Sequence, residues 1–306
     1  MSIRGLACVF CLAASLLPRA PVPSAVPASR EPTGPAISQS FLAALPREKS
    51  EVAVYEIAIE GDPRPLRASS VLSMVPYDPD RHLEAAAGDP AAVASLKWRF
   101  FHRLFEGPKS YQLEASEFFY LDLDGLRPIK HSRAWTSWEG GGCCALRLRQ
   151  ADGGLRDPGG KAPPLPARAG LFPASEVPLL VRALDFGGGD RQVFEVALAD
   201  GGRCGVQATL AGREEVRLAG DDTQQAERIV VHYDQPDGTW MDRLIFATRG
   251  REETYWRSVE PSRRLLRLDT EYYHWKLSMR WLDGAEVDYR RQPLPERLSR
   301  HLEAGA

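Results

Sequence analysis

Apolar and polar residues alternate with a period of two along much of this chain. From Tyr272 to Trp281, the residues Tyr273, Trp275, Leu277, Met279 and Trp281 interleave with Tyr272, His274, Lys276, Ser278 and Arg280. Successive side chains of a strand point to opposite faces, so this run predicts a half-buried antiparallel strand. Val52 to Glu60 carries Tyr55, Ile57 and Ile59 on one face, and a turn at Gly61 to Pro65 leads to a second strand near Arg67 to Met74. The two read as a hairpin. Further strands are predicted at Tyr111 to Asp122, Arg127 to Ser137 and Cys143 to Gln150, the first two joined by an Asp124-Gly125 turn. Beyond residue 190 the pattern gives strands almost without interruption: Gln192 to Ala199, Cys204 to Ala211, Glu214 to Leu218, Ala226 to Tyr233, Arg243 to Thr248, Glu253 to Val259 and Arg264 to Asp269.

Two segments change period. In Ala91 to Phe105, Val93, Leu96, Phe100 and Leu104 share a helical face, with Lys97, Arg99 and Arg103 turned to solvent. Ser175 is an N-cap candidate ahead of Val177, Leu180, Val181 and Leu184, and this second helix ends before Gly187. The fold class expected is mainly β (α+β): a strongly curved antiparallel sheet or half-barrel with one or two covering helices. A transmembrane barrel would need an apolar outer band on every strand, and only a minority of these strands offer one.

Residues 1–28 combine Arg4, an apolar stretch from Leu6 to Leu17 and small residues near Val26 and Ala28, the pattern of a cleavable signal peptide. The stretch is shorter than the roughly 20 residues a spanning helix needs. A periplasmic or secreted protein is therefore expected. Residues 29–50 are rich in Pro, Ser, Ala and Glu and read as a flexible linker. Residues 51–292 read as a single β-rich domain, within which Gln150 to Pro166 is a long Gly/Pro excursion between strands, and 293–306 as a helix-like charged tail.

The formal net charge of −2 becomes −4 once the two cations Arg4 and Arg19 leave with the signal, which argues against nucleic acid as a partner. Cys143, Cys144 and Cys204 then remain. Adjacent cysteines on a strand face opposite ways, so Cys204 can meet either Cys143 or Cys144; alternatively all three are small buried apolar residues. The six histidines form no His-x-His or His-Glu-x-x-His pair, so neither metal nor cofactor is expected. Asp122, Asp124 and Gly125 lack the rest of a calcium loop, and Gly187 to Gly189 follow a helix where a phosphate loop would precede one. Glu214 and Glu215 are adjacent and face opposite ways on a strand, and no Gly-x-Ser-x-Gly elbow occurs. Nothing here signals an enzyme, although an envelope-polymer hydrolase built from residues distant in sequence would leave no motif.

The segments "LDGLRPIKHSR" (Leu123 to Arg133), "SEVPLLVRALDF" (Ser175 to Phe186), "GREEVRLAGDDTQQAERIVVHY" (Gly212 to Tyr233) and "TYWRSVEPSRRLLRLD" (Thr254 to Asp269) occur in an order that resembles uncharacterised exported bacterial domains. Those domains are similar to the LolA/LolB lipoprotein-carrier half-barrels. Gly212, Glu214, Val216, Ala226, Tyr255, Trp256, Arg264 and Leu268 fit the family's places. The resemblance implies a bent sheet whose concave apolar side is closed by helices and accepts acyl chains.

The large aromatics are the residues that such a ligand would touch. Trp240, Tyr255, Trp256, Tyr273 and Trp275 either line a cavity or simply fill the core. The expectation is a non-enzymatic envelope protein that binds an apolar, acyl-chain or lipid-like ligand. Burial of about ten methylenes is worth ~8 kcal/mol before ordering costs. The alternative is a structural or assembly protein that docks an envelope protein partner.

Overall fold

The computed structural model describes residues 34–106, 111–137, 142–160, 163–198, 202–219, 222–234, 252–272, 275–288 and 291–303. A short helix α1 (Gln39–Ala44) precedes the strands β1 (Ser50–Ile59), β2 (Asp62–Asp78), β3 (Leu83–Glu84), β4 (Val93–Glu106), β5 (Tyr111–Asp122), β6 (Pro128–Ser137), β7 (Gly142–Arg149), β8 (Leu155–Arg156) and β9 (Leu171–Pro173). A 3-10 turn (Ala174–Glu176) runs into helix α2 (Val177–Ala183). Then come β10 (Arg191–Ala197), β11 (Arg203–Arg217), β12 (Thr223–Tyr233), β13 (Glu252–Ser258), β14 (Leu265–Tyr272), β15 (Trp275–Val287) and a C-terminal helix α3 (Glu296–Glu303).

The 15 strands form one sheet, ordered β8-β7-β6-β5-β4-β2-β1-β15-β14-β13-β12-β11-β10-β9, with β3 attached to β2. Every pairing is antiparallel except β9 with β10. The first and last long strands meet in the middle of the sheet, where Val52 lies opposite Ala285 and Ile57 opposite Met279.

Alternation puts one side chain in two on the concave face, and these converge on a single core: Ala53, Tyr55 and Ile57 of β1, Leu96 and Trp98 of β4, Phe119 of β5, Phe194 of β10, Ile229 of β12 and Tyr255 of β13. Into that concavity sits α2, with Val177, Leu179, Leu180, Val181, Arg182 and Ala183 all buried. A helix covered on every side belongs to a core. Seven residues are too few to hold a helix alone in water, so the packing makes it. On the opposite face of β1, Val52 and Val54 receive the fully buried Leu298 of α3, with Leu282 and Ala285 alongside. Central β1 is thus covered on both sides, which is why its run Val52-Ala53-Val54-Tyr55 is apolar without a break.

The structure corrects the sequence expectations in several places. Ala91 to Phe105 is not a helix; its described strand is β4, paired with β2 and β5 along its length. Residues four apart share a face in a strand as well as in a helix, so Leu96 and Phe100 fit both periods. Trp98, between them in β4, is buried in the same core, and only the period of two accounts for it. Helix α2 begins after Glu176, with Pro178 in its first turn, and Ser175 lies in the preceding 3-10 turn without capping it. Tyr272 to Trp281 is not one strand: Tyr272 ends β14 and pairs with Trp275 at the start of β15. Cys204 to Ala211 and Glu214 to Leu218 merge into β11, with a bulge between Leu210 and Gly212.

Residues 34–50, read as linker, pack into the domain. The Ser38 side chain accepts the Phe41 N–H at 3.3 Å and caps α1, while Ser38 N donates to Ala183 O and Asp185 N to Ala36 O, both at 2.8 Å. Phe41 is fully buried in the central core. The predicted strand Arg243 to Thr248 lies outside the described residues.

Candidate functional site: the pocket where the sheet closes

The two ends of the sheet meet through the long Gly/Pro excursion. Gly153, at φ +81°, lets the β7–β8 hairpin turn, with Gln150 N donating to Gly154 O at 2.8 Å. Leu155 and Leu165 exchange backbone hydrogen bonds of 2.8 and 2.9 Å, and Glu195 N donates to Gly170 O at 2.7 Å. Arg147 Nε holds Pro163 O at 3.0 Å. The segment from Pro163 to Pro173 is therefore a strap stitched to β8 at one end and β10 at the other. Leu155, Leu165, Leu171 and Ala197 pack into a small apolar cluster beneath it.

Beside the strap lies a pocket of about 330 Å³. Leu155, Leu165, Leu171, Pro166, Ala167 and Ala169 give it an apolar side, and Arg127, Arg149 and Arg168 a cationic one, with Asp152 the single carboxylate in the lining. Its volume falls at the lower end of small-molecule sites. Arg149 is fixed in place: it donates to Pro128 O at 2.9 Å and Arg127 O at 2.6 Å and pairs with Asp122 at 2.9 Å. Arg127 pairs with that same Asp122 at 3.4 Å. Arg127 also reaches Asp124 at 3.8 Å, but that carboxylate is fully exposed and screened by water, so Asp122 is the one sheltered carboxylate between two guanidinium groups and the wall favours an anion. Arg168 pairs with Glu195 at 3.0 Å.

Glu176 stands behind this wall. Its carboxyl is 0% exposed and neither oxygen has a hydrogen-bond partner. Burial, reinforced by the charge of Asp122 and opposed by Arg149, holds its pKa well above the ordinary carboxyl value.

Among the described residues, the part of the concavity that holds α2 is filled. Between sheet and α2 there remains a space of about 10 Å³, lined by Tyr55, Trp98, Phe100, Leu179 and their neighbours, which is no more than a water's worth. Two buried arginines clamp α2 in place. Arg257, 1% exposed, donates to the carbonyls of Val181 (2.7 Å), Arg182 (3.1 Å) and Leu184 (2.8 Å) at the end of α2, and pairs with Glu227 at 3.0 Å. These are the carbonyls a helix C-terminus leaves unpaired, and a cation there also meets the negative end of the helix dipole. Burial lowers the Arg257 pKa to about 10, so it is charged at neutral pH. Arg182 makes a two-point pair with Glu51 of β1, 2.8 Å at each oxygen. A third buried polar group lies on β5 to β7. Arg147 donates to His131 Nδ1 at 3.3 Å, so the proton sits on Nε2, which donates to Glu117 at 2.8 Å.

Of the aromatics expected to line a cavity, Trp240 and Tyr273 lie outside the described residues, and the side chain of Trp275 does too. Tyr255 and Trp256 are adjacent on β13 and face opposite ways. Tyr255 is in the central core, its hydroxyl donating to Glu253 at 2.5 Å, and Tyr233 donates to the same carboxylate oxygen at 2.5 Å. Burial first, then the Glu253 charge, pushes both phenols well above the usual tyrosine value. Trp256 packs in a separate cluster with Val216, Ala226 and Leu266; its indole N–H donates to Glu214 at 2.6 Å and Arg267 stacks over its ring. The two do not share a cavity.

Cys204 is buried, and its Sγ lies 2.7 Å from Asp234 O. The side chains of Cys143 and Cys144 lie outside the described residues. Sequence reasoning missed the pocket because its arginines belong to no motif and meet only through the pairing of β6 with β7 and the strap's bridge to β8. The one signal was the Gly/Pro-dense excursion, since a long structured loop in a compact domain often carries function.

No family model matches the chain, and no curated protein does. Among solved structures it is similar to a beta-barrel-like protein of domain of unknown function DUF1849 from Brucella abortus, 10% identical, with 79% of this chain and 99% of that chain covered at a TM-score of 0.48. It is also matched to a DUF1329 family protein from Desulfovibrio piger, 11% identical over 84% of this chain and 92% of that one, at a TM-score of 0.18.

Proposed function

We propose that this is an exported, periplasmic or secreted envelope protein, not an enzyme, that binds a lipid-like ligand with an anionic head and an apolar tail. The head lies against Arg149 and Arg127 in the closure pocket, and the tail lies along Leu155, Leu165 and Leu171. The observation that carries this reading is the pairing of cationic and leucine-lined walls in one pocket of about 330 Å³. The signal-like N-terminus and the resemblance to the lipoprotein-carrier half-barrels support the compartment and the ligand class. The position differs from that of the family, because here the concavity is occupied by α2 and a ligand inside it would have to displace a clamped helix.

The test is native mass spectrometry, with organic extraction, of protein purified without detergent, beside the pocket-filling variant Ala169→Trp. A stoichiometric anionic lipid in the wild type that is lost from the variant supports the reading. An apo mass in both, with no uptake of added fatty acid or phospholipid, overturns it. The filled concavity favours a second reading, a structural or assembly protein docking an envelope partner, and that apo outcome is the one it expects.

A further inference from the structure

A buried carboxyl without a hydrogen-bond partner is a rare and costly feature, and Glu176 has two such oxygens. Its place in the fold gives it a use. It sits in the 3-10 turn that directly follows Pro173, and both Pro173 and Arg149 line the closure pocket. The charged groups that act on it are Asp122 at the end of β5 and Arg149 at the end of β7, and Asp122 is itself paired with Arg127. While Glu176 is protonated, Asp122 is the one sheltered carboxylate between Arg127 and Arg149, the other carboxylate on Arg127 being the fully exposed Asp124, and the pocket wall keeps its positive excess. If Glu176 ionises, a second carboxylate acts on Arg149 from behind and cancels that excess.

We propose that Glu176 is a proton gate on the closure pocket: an anionic head group is held at Arg149 while the Glu176 carboxyl is protonated, and is released when that proton leaves to solvent. The inference rests on the reading of the pocket as an anion site. It makes binding of an anion and ionisation of Glu176 mutually exclusive, so each bound anion carries one proton with it above the pH at which the empty protein loses that proton.

The probe is decanesulfonate, whose head group stays ionised throughout, titrated calorimetrically between about pH 5.5 and about pH 9.5 into wild type, Glu176→Gln and Ala169→Trp. In the wild type the dissociation constant should be flat at low pH and then rise about tenfold per pH unit once Glu176 ionises, as one-proton linkage requires. Glu176→Gln should stay in the tight state across the range, and Ala169→Trp should not bind. Wild-type titrations in two buffers of different ionisation enthalpy count the protons without any variant: one taken up per ligand on the rising limb, none at low pH. Parallel pH profiles for wild type and Glu176→Gln, or a proton count of zero at every pH, overturn the gate and leave the pocket standing. Absence of binding at any pH, or equal binding by Ala169→Trp, overturns the pocket reading and the gate with it.

Discussion

Replacing Arg257 with Met is expected to be among the most damaging single changes in this molecule. The guanidinium serves three carbonyls at the end of α2 and one carboxylate. Two of those partners keep another donor: Leu184 O retains Arg263 at 2.5 Å, and Glu227 retains Arg213 at 2.9 Å. The carbonyls of Val181 and Arg182 lose theirs in a buried place, at about 1–3 kcal/mol each. Breaking a buried ion pair costs about 3–5 kcal/mol when the remaining charge is stranded; here Arg213 holds part of it, and Met recovers some packing. We expect a net loss of about 4 kcal/mol. For a domain of this size that corresponds to a fall in melting temperature of roughly 8–16 °C. Arg257→Lys keeps the charge but not the fork of donors and should lose about half as much. The assay is guanidinium unfolding followed by circular dichroism, comparing midpoints at constant slope. A loss below about 1 kcal/mol for Arg257→Met would refute the idea that this side chain clamps α2 into the sheet.

Glu176 makes stability depend on pH in a direction opposite to that of most carboxylates. Its folded pKa is raised, so above the ordinary value of 4.5 the folded state holds a proton that the unfolded chain has released, and stability falls by about 1.4 kcal/mol per pH unit until the folded carboxyl ionises. Relative to Glu176→Gln, the wild type should lose stability as the pH rises above about 5.5, read by denaturant titrations across the range; parallel pH profiles would contradict it. A methyl group added at Gly284 would overlap the indole ring of Trp281 and lie 3.0 Å from Val52 O. Gly284→Ala should therefore cost about 1–3 kcal/mol, against a few tenths for an exposed glycine, measured the same way. Phe41→Ala should cost about 3–5 kcal/mol if residues 34–50 belong to the core, and almost nothing if they are a tether.

The strands were legible from sequence because period-two alternation follows directly from strand geometry. The described ends of β5 coincide with the predicted ones, Tyr111 and Asp122, and β6, β7, β12 and β13 differ by only a few residues. The pattern failed where two geometries give the same signal. Leu96 and Phe100 satisfy helix and strand alike, and alternation ran on through Tyr272 and Trp275 although a hairpin separates them. The linker reading failed for another reason: its composition is that of a loose segment, yet Ile37 and Phe41 are enough to anchor it, and composition averages over two such residues. The pocket was not legible at all. Arg127, Arg149 and Arg168 look like ordinary surface arginines; the pairing of β6 with β7 sets Arg149 against Arg127, and the bridge between Leu155 and Leu165 brings the strap that carries Arg168 beside them. Nor does a sequence reveal that Glu176 lacks a partner, since its surroundings come from β5 and β7.

The central claim is that ligand sits where the sheet closes and not inside the concavity. Photolabelling with a diazirine-bearing fatty acid, followed by peptide mapping, tests it most directly. The account predicts label on Gln150 to Pro173, reduced by Ala169→Trp. Label on α2, around Leu179 and Leu180, or on the inner face at Tyr255, would contradict it and place the ligand in the space that the clamped helix now fills.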